Sequence, residues 1–315
     1  MKKVIKRIAA AFLAIVIMVG LAACTSNSQG VSSAEVQKQD LTTKYPYTVK
    51  DSTGREVVIE KEPTRIISAA PNITEMIYAL GKGNELVGRT DYCDYPEEAK
   101  KVQSVGSLMD PNVEKIIELK PDVVIVSTHF KEDVAKRLED LGIKIVALYD
   151  AKNFDGVYDS INTLGQIVNA QAKAKELASS MKKKIEAVEE KVKGKGAPKV
   201  YFVVGFGKSG DYTGTGDTFI GQMIEMAGGT NIAKHAAGWK YSLEKIIEND
   251  PEYIVVSKYS GMKEQFIATD GYKELSAVKN NKVIEVDDNL IKRQGPRSAD
   301  GVEALAKILH PDLFK

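Results

Sequence analysis

Cysteine is almost missing from this sequence: Cys24 and Cys93 are the only two in 315 residues. Cys24 closes an N-terminal apolar run and is expected to be consumed by modification there, which leaves Cys93 without a partner and rules out an intrachain disulfide. Cys93 itself reads as a small buried side chain rather than a nucleophile. Histidine is nearly as scarce, and His129, His235 and His310 are too far apart for a local metal-ligand motif. His310, in a Leu-His-Pro-Asp run near the end, reads as structural. No Ser-His-Asp arrangement or nucleophile elbow occurs, and the paired acids Glu189 and Glu190 fall in a long helical run where solvation suffices. The formal charge is only +1, with no excess of either sign, so neither nucleic acid nor a polyanion is an expected partner. No enzymatic chemistry and no resident cofactor or metal is expected.

Phosphate-binding loops are absent too, although one stretch imitates them. Val203-Val-Gly205-Phe-Gly207-Lys-Ser-Gly210 follows a strand and spells G-x-G-x-x-G. A dinucleotide fingerprint must run directly into its helix, so that the helix N-terminus meets the pyrophosphate. Here Asp211-Tyr-Thr-Gly-Thr-Gly216 intervenes, and the helix starts near Asp217 and Thr218. The P-loop pattern fails as well, because the glycine it needs five residues before Gly207 is Phe202. The loop is better explained as the wall of a cleft.

The N-terminus carries an address. Lys2, Lys3, Lys6 and Arg7 precede an uninterrupted apolar and glycine run over residues 8–23, and Leu21-Ala-Ala-Cys24 closes it. Sixteen residues are short for a spanning helix, so residues 1–23 read as a secretory signal. Its removal takes away four basic residues and no acids, leaving 40 against 43. Residues 24–44 are rich in Ser, Gln and Thr without apolar periodicity, as in a flexible tether.

One segment of the body occurs twice. Glu114-Lys-Ile-Ile-Glu-Leu-Lys-Pro121-Asp-Val-Val-Ile-Val-Ser127 returns 130 residues later as Glu244-Lys-Ile-Ile-Glu-Asn-Asp-Pro251-Glu-Tyr-Ile-Val-Val-Ser257, with eight of fourteen positions identical. Each copy reads as the end of an amphipathic helix, a proline stop and a buried parallel strand. A second pair, Ile73-Thr-Glu-Met-Ile-Tyr-Ala-Leu-Gly81 and Ile220-Gly-Gln-Met-Ile-Glu-Met-Ala-Gly228, recurs in the same order. The chain is therefore expected to be α/β, with two Rossmann-like lobes of mainly parallel sheet and a ligand cleft between them. The first lobe spans 45–153: a hairpin over 47–59, strands at 65–68 and 86–88, a helix opened by Thr74 and Glu75, strand 122–127, helix 131–141 and strand 143–148. Residues 154–196 are helix-forming with a break near Val168 and Asn169. The 24 residues 170–193 hold no Gly or Pro and predict a stiff rod of about 36 Å joining the lobes once. The second lobe covers 197–315.

Aromatic and cationic groups gather in loops. Tyr92 and Tyr95 follow a strand in Arg89-Thr-Asp-Tyr-Cys-Asp-Tyr-Pro96, Tyr212 lies in the glycine-rich loop, Trp239 precedes the second repeat copy, and Arg293 and Arg297 lie near the end. Aromatic faces suit a large flat ligand, and arginines can clamp polar groups on its rim.

Together the Leu-Ala-Ala-Cys box, Arg65-Ile-Ile-Ser, Gly88-Arg-Thr-Asp-Tyr-Cys-Asp-Tyr-Pro96, Pro121-Asp-Val-Val-Ile, the central rod and Gly295-Pro-Arg297 form an ordered set. That set resembles the ABC-transporter solute-binding lipoproteins of the cobalamin, heme and iron-siderophore receptor group, from about residue 65 to 314. The resemblance implies two α/β lobes joined by one long helix, with Cys24 carrying lipid on the extracytoplasmic face of a bacterial membrane. It implies a monomeric receptor serving an ABC permease dimer with its ATPase, which Glu114 and Glu244, one per lobe, would engage. The ligand implied first is a corrinoid such as cobalamin, itself a metal chelate, held by Tyr92, Tyr212, Trp239, Arg293 and Arg297. A ferric siderophore comes next, with Arg89, Arg293 and Arg297 as its cations. Heme, with Met109 and His235 as axial groups, stays open as well.

Overall fold

The computed structural model describes residues 41–315, so the export segment, Cys24 and the tether as far as residue 40 lie outside the described residues. Packing extends into the segment that composition reads as tether. Thr43 is buried, with its N–H on Asn169 Oδ1 at 2.9 Å and its hydroxyl on the Gln166 carbonyl at 2.7 Å. A threonine in a polar run gives no sign of such long-range partners.

The body opens with an antiparallel hairpin, β1 (Tyr47–Lys50) and β2 (Glu56–Ile59). Asp51 organises its turn: the carboxylate accepts from Thr53 N at 2.9 Å and Arg55 Nη2 at 2.8 Å, and it reaches Ala147 N at 3.2 Å to fasten the hairpin to the first lobe. That lobe alternates β3 (Ile66–Ser68), α1 (Pro71–Ala79), β4 (Leu86–Arg89), α2 (Val113–Glu118), β5 (Val123–Val126), α3 (Glu132–Asp140) and β6 (Ile145–Ala147). Its strands are parallel in the order β4-β3-β5-β6. The helix expected to open at Thr74 begins at Pro71 instead. Proline lacks the N–H that the first helical turn leaves unused and is fixed at a helical φ, so it starts the helix rather than breaking it.

Two helices, α4 (Phe154–Ile167) and α5 (Gln171–Val192), lead out of this lobe. The break between them is Asn169, at φ 53°, a left-handed conformation that asparagine tolerates better than most residues. The 22 residues of α5 span about 33 Å. Met181, Ile185, Val188 and Val192 line one face at helical spacing and face α4 and α11 (Ser298–Leu309). Each such side chain contributes about 1.5–3 kcal/mol on burial. The chain passes from one sheet to the other along α5 once.

The second lobe repeats the design: β7 (Lys199–Phe202), α6 (Phe219–Met226), β8 (Thr230–Asn231), α7 (Leu243–Asn249), β9 (Tyr253–Ser257), α8 (Met262–Ala268), α9 (Ser276–Lys279), β10 (Val283–Val286), α10 (Asn289–Lys292) and α11. Its sheet is parallel in the order β8-β7-β9-β10, which is the first lobe's order with each strand replaced by its counterpart. Local detail repeats as well. Lys120 and Asp250, equivalent positions just before the prolines, take φ of 45° and 40°. Asp122 Oδ2 accepts Arg65 N at 3.0 Å, and its counterpart Glu252 accepts Lys199 N at 3.1 Å, so each acid clamps the start of the neighbouring strand.

Strand side chains alternate between two apolar layers in each lobe. Val123, Ile125, Val200, Phe202 and Val255 face one core that runs through α4, α5 and α11 into both lobes. Val124 and Val126 face an outer layer of the first lobe, and Tyr201, Ile254 and Val256 an outer layer of the second. Sheets covered on both faces explain the uninterrupted β-branched runs in the sequence. Cys93 is fully buried, bonded to Thr90 Oγ1 at 3.2 Å, and burial pushes its thiol up. His310 is buried against the Gly228 carbonyl at 3.2 Å.

Candidate functional site

In a parallel α/β lobe the strand C-termini deliver their loops to one edge, where ligands meet the sheet. Five aromatic side chains stand exposed on such loops: Tyr92 and Tyr95 after β4, Tyr149 after β6, Trp239 after β8 and Tyr259 after β9, between 38% and 67% exposed. Exposed aromatic rings are costly to leave in water, and among the described residues their confinement to the strand ends marks this edge as a recognition surface.

Between the lobes at this edge lies a cavity of ≈ 580 Å³, within the range that holds small molecules and cofactors. The first lobe supplies Thr128, His129 and the segment 150–152, and the second supplies Phe219, Ile220, Trp239 and Lys292 among others. Thr128 Oγ1 accepts Asp150 N at 2.8 Å, and Ser127 Oγ donates to Asp150 Oδ1 at 3.2 Å, so the two first-lobe loops form one wall. A somewhat larger depression of ≈ 650 Å³ lies at the far end of α5, lined by Glu186, Glu189, Glu190 and Glu225. It sits where strands β7 and β8 begin and carries no exposed aromatic ring, so the interlobe cavity is the better candidate.

Trp239 is held by the glycine-rich loop. Its carbonyl accepts Thr213 N at 2.8 Å, its N–H reaches Thr215 Oγ1 at 3.3 Å, and the preceding Gly238 N donates to Asp217 Oδ2 at 3.3 Å. It does so at φ 72°, a left-handed conformation unfavourable for a bulky residue. Such strain, of order 1–3 kcal/mol, collects where a side chain must be presented in one direction. The loop itself needs its glycines: a Cβ on Gly216 would stand 1.9 Å from the Lys234 carbonyl oxygen, and Gly210 lies at φ 96°. Its base is pinned by Tyr272, whose hydroxyl accepts Gly207 N at 3.0 Å and donates to Asp211. Burial raises the Asp211 carboxyl above its usual range and, with the hydrogen bond to Asp211, pushes Tyr272 up to about 12.

The expected ligand residues do not gather in one place. Trp239 lines the cavity, whereas Tyr92, Tyr212, Arg293 and Arg297 do not. Tyr212 is half-buried, its ring lying over Gly205 and Gly210 and its backbone bridging Gly205 and Lys240. Arg293 and Arg297 form a second cluster along the seam between the lobes. Glu75 of α1, its side chain 1% exposed, receives Arg297 Nε at 2.9 Å, Arg297 Nη2 at 2.6 Å and Arg293 Nη1 at 3.2 Å. Arg293 also reaches Asp94 at 2.6 Å and the Tyr92 carbonyl at 3.3 Å, and the Arg297 guanidinium lies 3.9 Å over the Tyr95 ring. Burial works against both guanidinium charges, but Asp94 and Glu75 on Arg293, and Glu75 on Arg297, more than offset it and hold both above their ordinary values. Asn72 Nδ2 on the Gln294 carbonyl at 3.4 Å joins this cluster to the cavity, which Gln294 lines. Tyr92 leaves its ring free beside the cluster, 67% exposed.

Arg89, the third cation in the siderophore reading, is turned inward onto the Ala99, Thr90, Asp91 and Lys100 carbonyls. Met109 and His235 are exposed but do not line the cavity; the imidazole on its wall is that of His129. Lys292 at the cavity is paired to Asp288 at 2.6 Å, and Asp217 is held below its usual range by Thr215 and the Gly238 N–H, with Lys152 nearby. Among the described residues Lys292 is the cavity cation held in an ion pair, and Lys152, which also lines the cavity, is in none. Among the described residues no group of three or more His, Cys, Asp or Glu side chains could hold a metal ion. Glu114 and Glu244 are exposed at the first turns of α2 and α7, one in each lobe. Sequence reasoning missed Tyr149, Tyr259, His129 and Glu75. The first two were findable as the aromatics just past strands 143–148 and 253–257; the last two carry no local signal.

Comparison with known proteins fits this geometry. A sequence model of the family described as "Periplasmic binding protein" matches residues 66–290. The chain is 38% identical over 302 residues, 94% of each chain, to a protein of Bacillus subtilis (strain 168) named "Uncharacterized ABC transporter substrate-binding lipoprotein YvrC". It is 30% identical over 241 residues, 75% of this chain and 84% of the other, to the "Vitamin B12-binding protein" of Pectobacterium carotovorum subsp. carotovorum (strain PC1). Among solved structures, a possible iron-binding (periplasmic solute-binding) protein from Staphylococcus epidermidis ATCC 12228 superposes with a TM-score of 0.71 at 31% identity, over 79% of this chain and 100% of that one.

Proposed function

The chain belongs to the periplasmic binding protein family, and from that membership we propose that it captures a corrinoid outside the cytoplasm and delivers it to an ABC importer. Its lipid anchor would be Cys24. The observation that carries the choice of ligand is the aromatic edge: Tyr92, Tyr95, Tyr149, Trp239 and Tyr259 stand exposed at the strand ends, while Lys292, Arg293 and Arg297 beside them are already paired to acids. An amide-bordered macrocycle of low net charge suits such a surface better than a strongly anionic chelate would. The similar protein named for vitamin B12 supports the same choice. Trp239 on the cavity wall and the exposed Tyr92 are the residues proposed to stack on the ring, with Tyr212, Arg293 and Arg297, outside the cavity lining, proposed to meet only its rim.

Delivery needs a second surface. Glu114 and Glu244 sit at equivalent positions of the two lobes, so a two-fold permease dimer can be met by one carboxylate per lobe. Such pairing sets orientation and encounter rate. A ferric chelate or heme is the second reading, favoured by the His129 imidazole on the cavity wall and by the likeness to a possible iron-binding protein. Protein lacking residues 1–23, titrated with cyanocobalamin, hemin and a ferric hydroxamate, separates them by absorbance and by quenching of Trp239. Cyanocobalamin should bind; response to hemin or the hydroxamate alone replaces the corrinoid reading, and response to none overturns the metal-chelate function.

A further inference from the structure

In both copies of the duplicated segment two consecutive isoleucines part company. Ile116 and Ile246 are fully buried, whereas Ile117 and Ile247 stand 41% and 51% exposed. One helical step turns the side chain by about 100°, so when the first isoleucine enters the core the second must face out. Folding asks for an apolar residue at the first position only.

A single exposed isoleucine is ordinary on a protein surface. Here the same one recurs at equivalent positions of two lobes, three residues after an exposed glutamate in each, and residues three apart are surface neighbours on a helix. The backbones match through the left-handed Lys120 and Asp250. Among the described residues neither Glu114 nor Glu244 forms an ion pair, though each is followed by an exposed lysine. Both helices run back before entering strands β5 and β9, which puts their first turns toward the edge where the cavity opens. Two patches of one composition, a carboxylate outside any ion pair beside an exposed isoleucine, therefore flank the cleft mouth.

We propose that Ile117 and Ile247 are paired apolar anchors of the docking surface. Each would enter a recess on a two-fold symmetric membrane permease, beside the cation that receives Glu114 or Glu244. This rests on the importer reading and adds to it a partner feature: two equivalent apolar recesses, each next to a basic side chain. The two parts of a patch answer differently to salt. Charge pairing at an exposed contact is screened, while apolar burial is not.

The test uses the full-length lipoprotein in cells whose own copy is deleted, with uptake of labelled cyanocobalamin, hemin and a ferric hydroxamate measured in parallel. Ile117→Ser and Ile247→Ser should each lower uptake of the transported probe by roughly tenfold, as loss of one well-buried interface residue does. The double variant should lose more, and the deficits should be alike at low and high external salt. Binding of that probe to the purified variants and their melting temperatures should stay at wild-type values, because both positions are exposed. A changed affinity or melting temperature overturns the proposal in favour of a structural role. Normal uptake by the isoleucine variants, with uptake lost in Glu114→Lys/Glu244→Lys, overturns the apolar anchors and leaves glutamate docking standing. Normal uptake by both sets overturns docking at this face, and no uptake of any probe by the wild type overturns the importer reading together with this one.

Discussion

Glu75→Gln is the sharpest probe of how the two lobes are joined. The carboxylate is 1% exposed and accepts three guanidinium hydrogen bonds from Arg293 and Arg297, whose side chains are 13% and 15% exposed. Removing one partner of a buried pair costs roughly 3–5 kcal/mol, because the charge left behind stays desolvated. Glutamine keeps one acceptor oxygen and the same volume, and Asp94 still neutralises part of Arg293, so about 2–4 kcal/mol is expected here. For a body of this size each kcal/mol moves the melting temperature by about 2 °C, which gives a fall of roughly 4–8 °C by circular dichroism. Arg297→Met isolates the pair: in the Glu75→Gln background it should cost less than in the wild type, with a coupling above about 1 kcal/mol. A Glu75→Gln protein within about 0.5 kcal/mol of wild type, or strict additivity in the cycle, would show that this seam is not held by the ion cluster.

Tyr92→Ala and Trp239→Ala should each weaken ligand binding by about 1–3 kcal/mol in a calorimetric or absorbance titration; unchanged affinity would remove them from the site. Exchanging Glu114 and Glu244 together for lysine should abolish uptake while leaving the affinity of the isolated protein as it was, and a parallel loss of affinity would contradict a docking role. Asp51 governs an acid-side effect. Burial raises its carboxyl, but bonds from Thr53, Arg55 and Ala147 outweigh it and hold it below the usual range. Its contribution is therefore present above the unfolded value near 4 and is lost as pH falls through the lower folded value. Asp51→Asn should lose about 1–3 kcal/mol at neutral pH and show a flatter acid limb in urea titrations; parallel stability–pH curves for the two proteins would refute it.

Much of the architecture was legible because burial imprints local periodicity. The β-branched runs at 122–127 and 253–257 are strands covered on both faces, and the 170–193 run is one helix because nothing in it can stop one. The one misplaced helix start, at Pro71, came from treating proline as a break where its geometry suits a first turn. The site was less legible. Arg293 and Arg297 were singled out as loop cations, yet their partner Glu75 lies 218 and 222 residues away, and no local pattern links them.

By itself, then, the sequence determined the duplicated design: two helix–proline–strand segments, a rod between them and a family resemblance carried by ordered motifs. Those are properties of neighbours along the chain, where side-chain period and proline placement act directly. Tertiary structure decided what faces what: that the arginines meet Glu75 across the seam, that His129 rather than His235 reaches the cavity, and that Ile116 and Ile246 point inward while Ile117 and Ile247 do not. The reason is physical. Which of two adjacent apolar groups is buried, and which buried charge finds a partner, depends on surfaces brought together only when the two lobes pack.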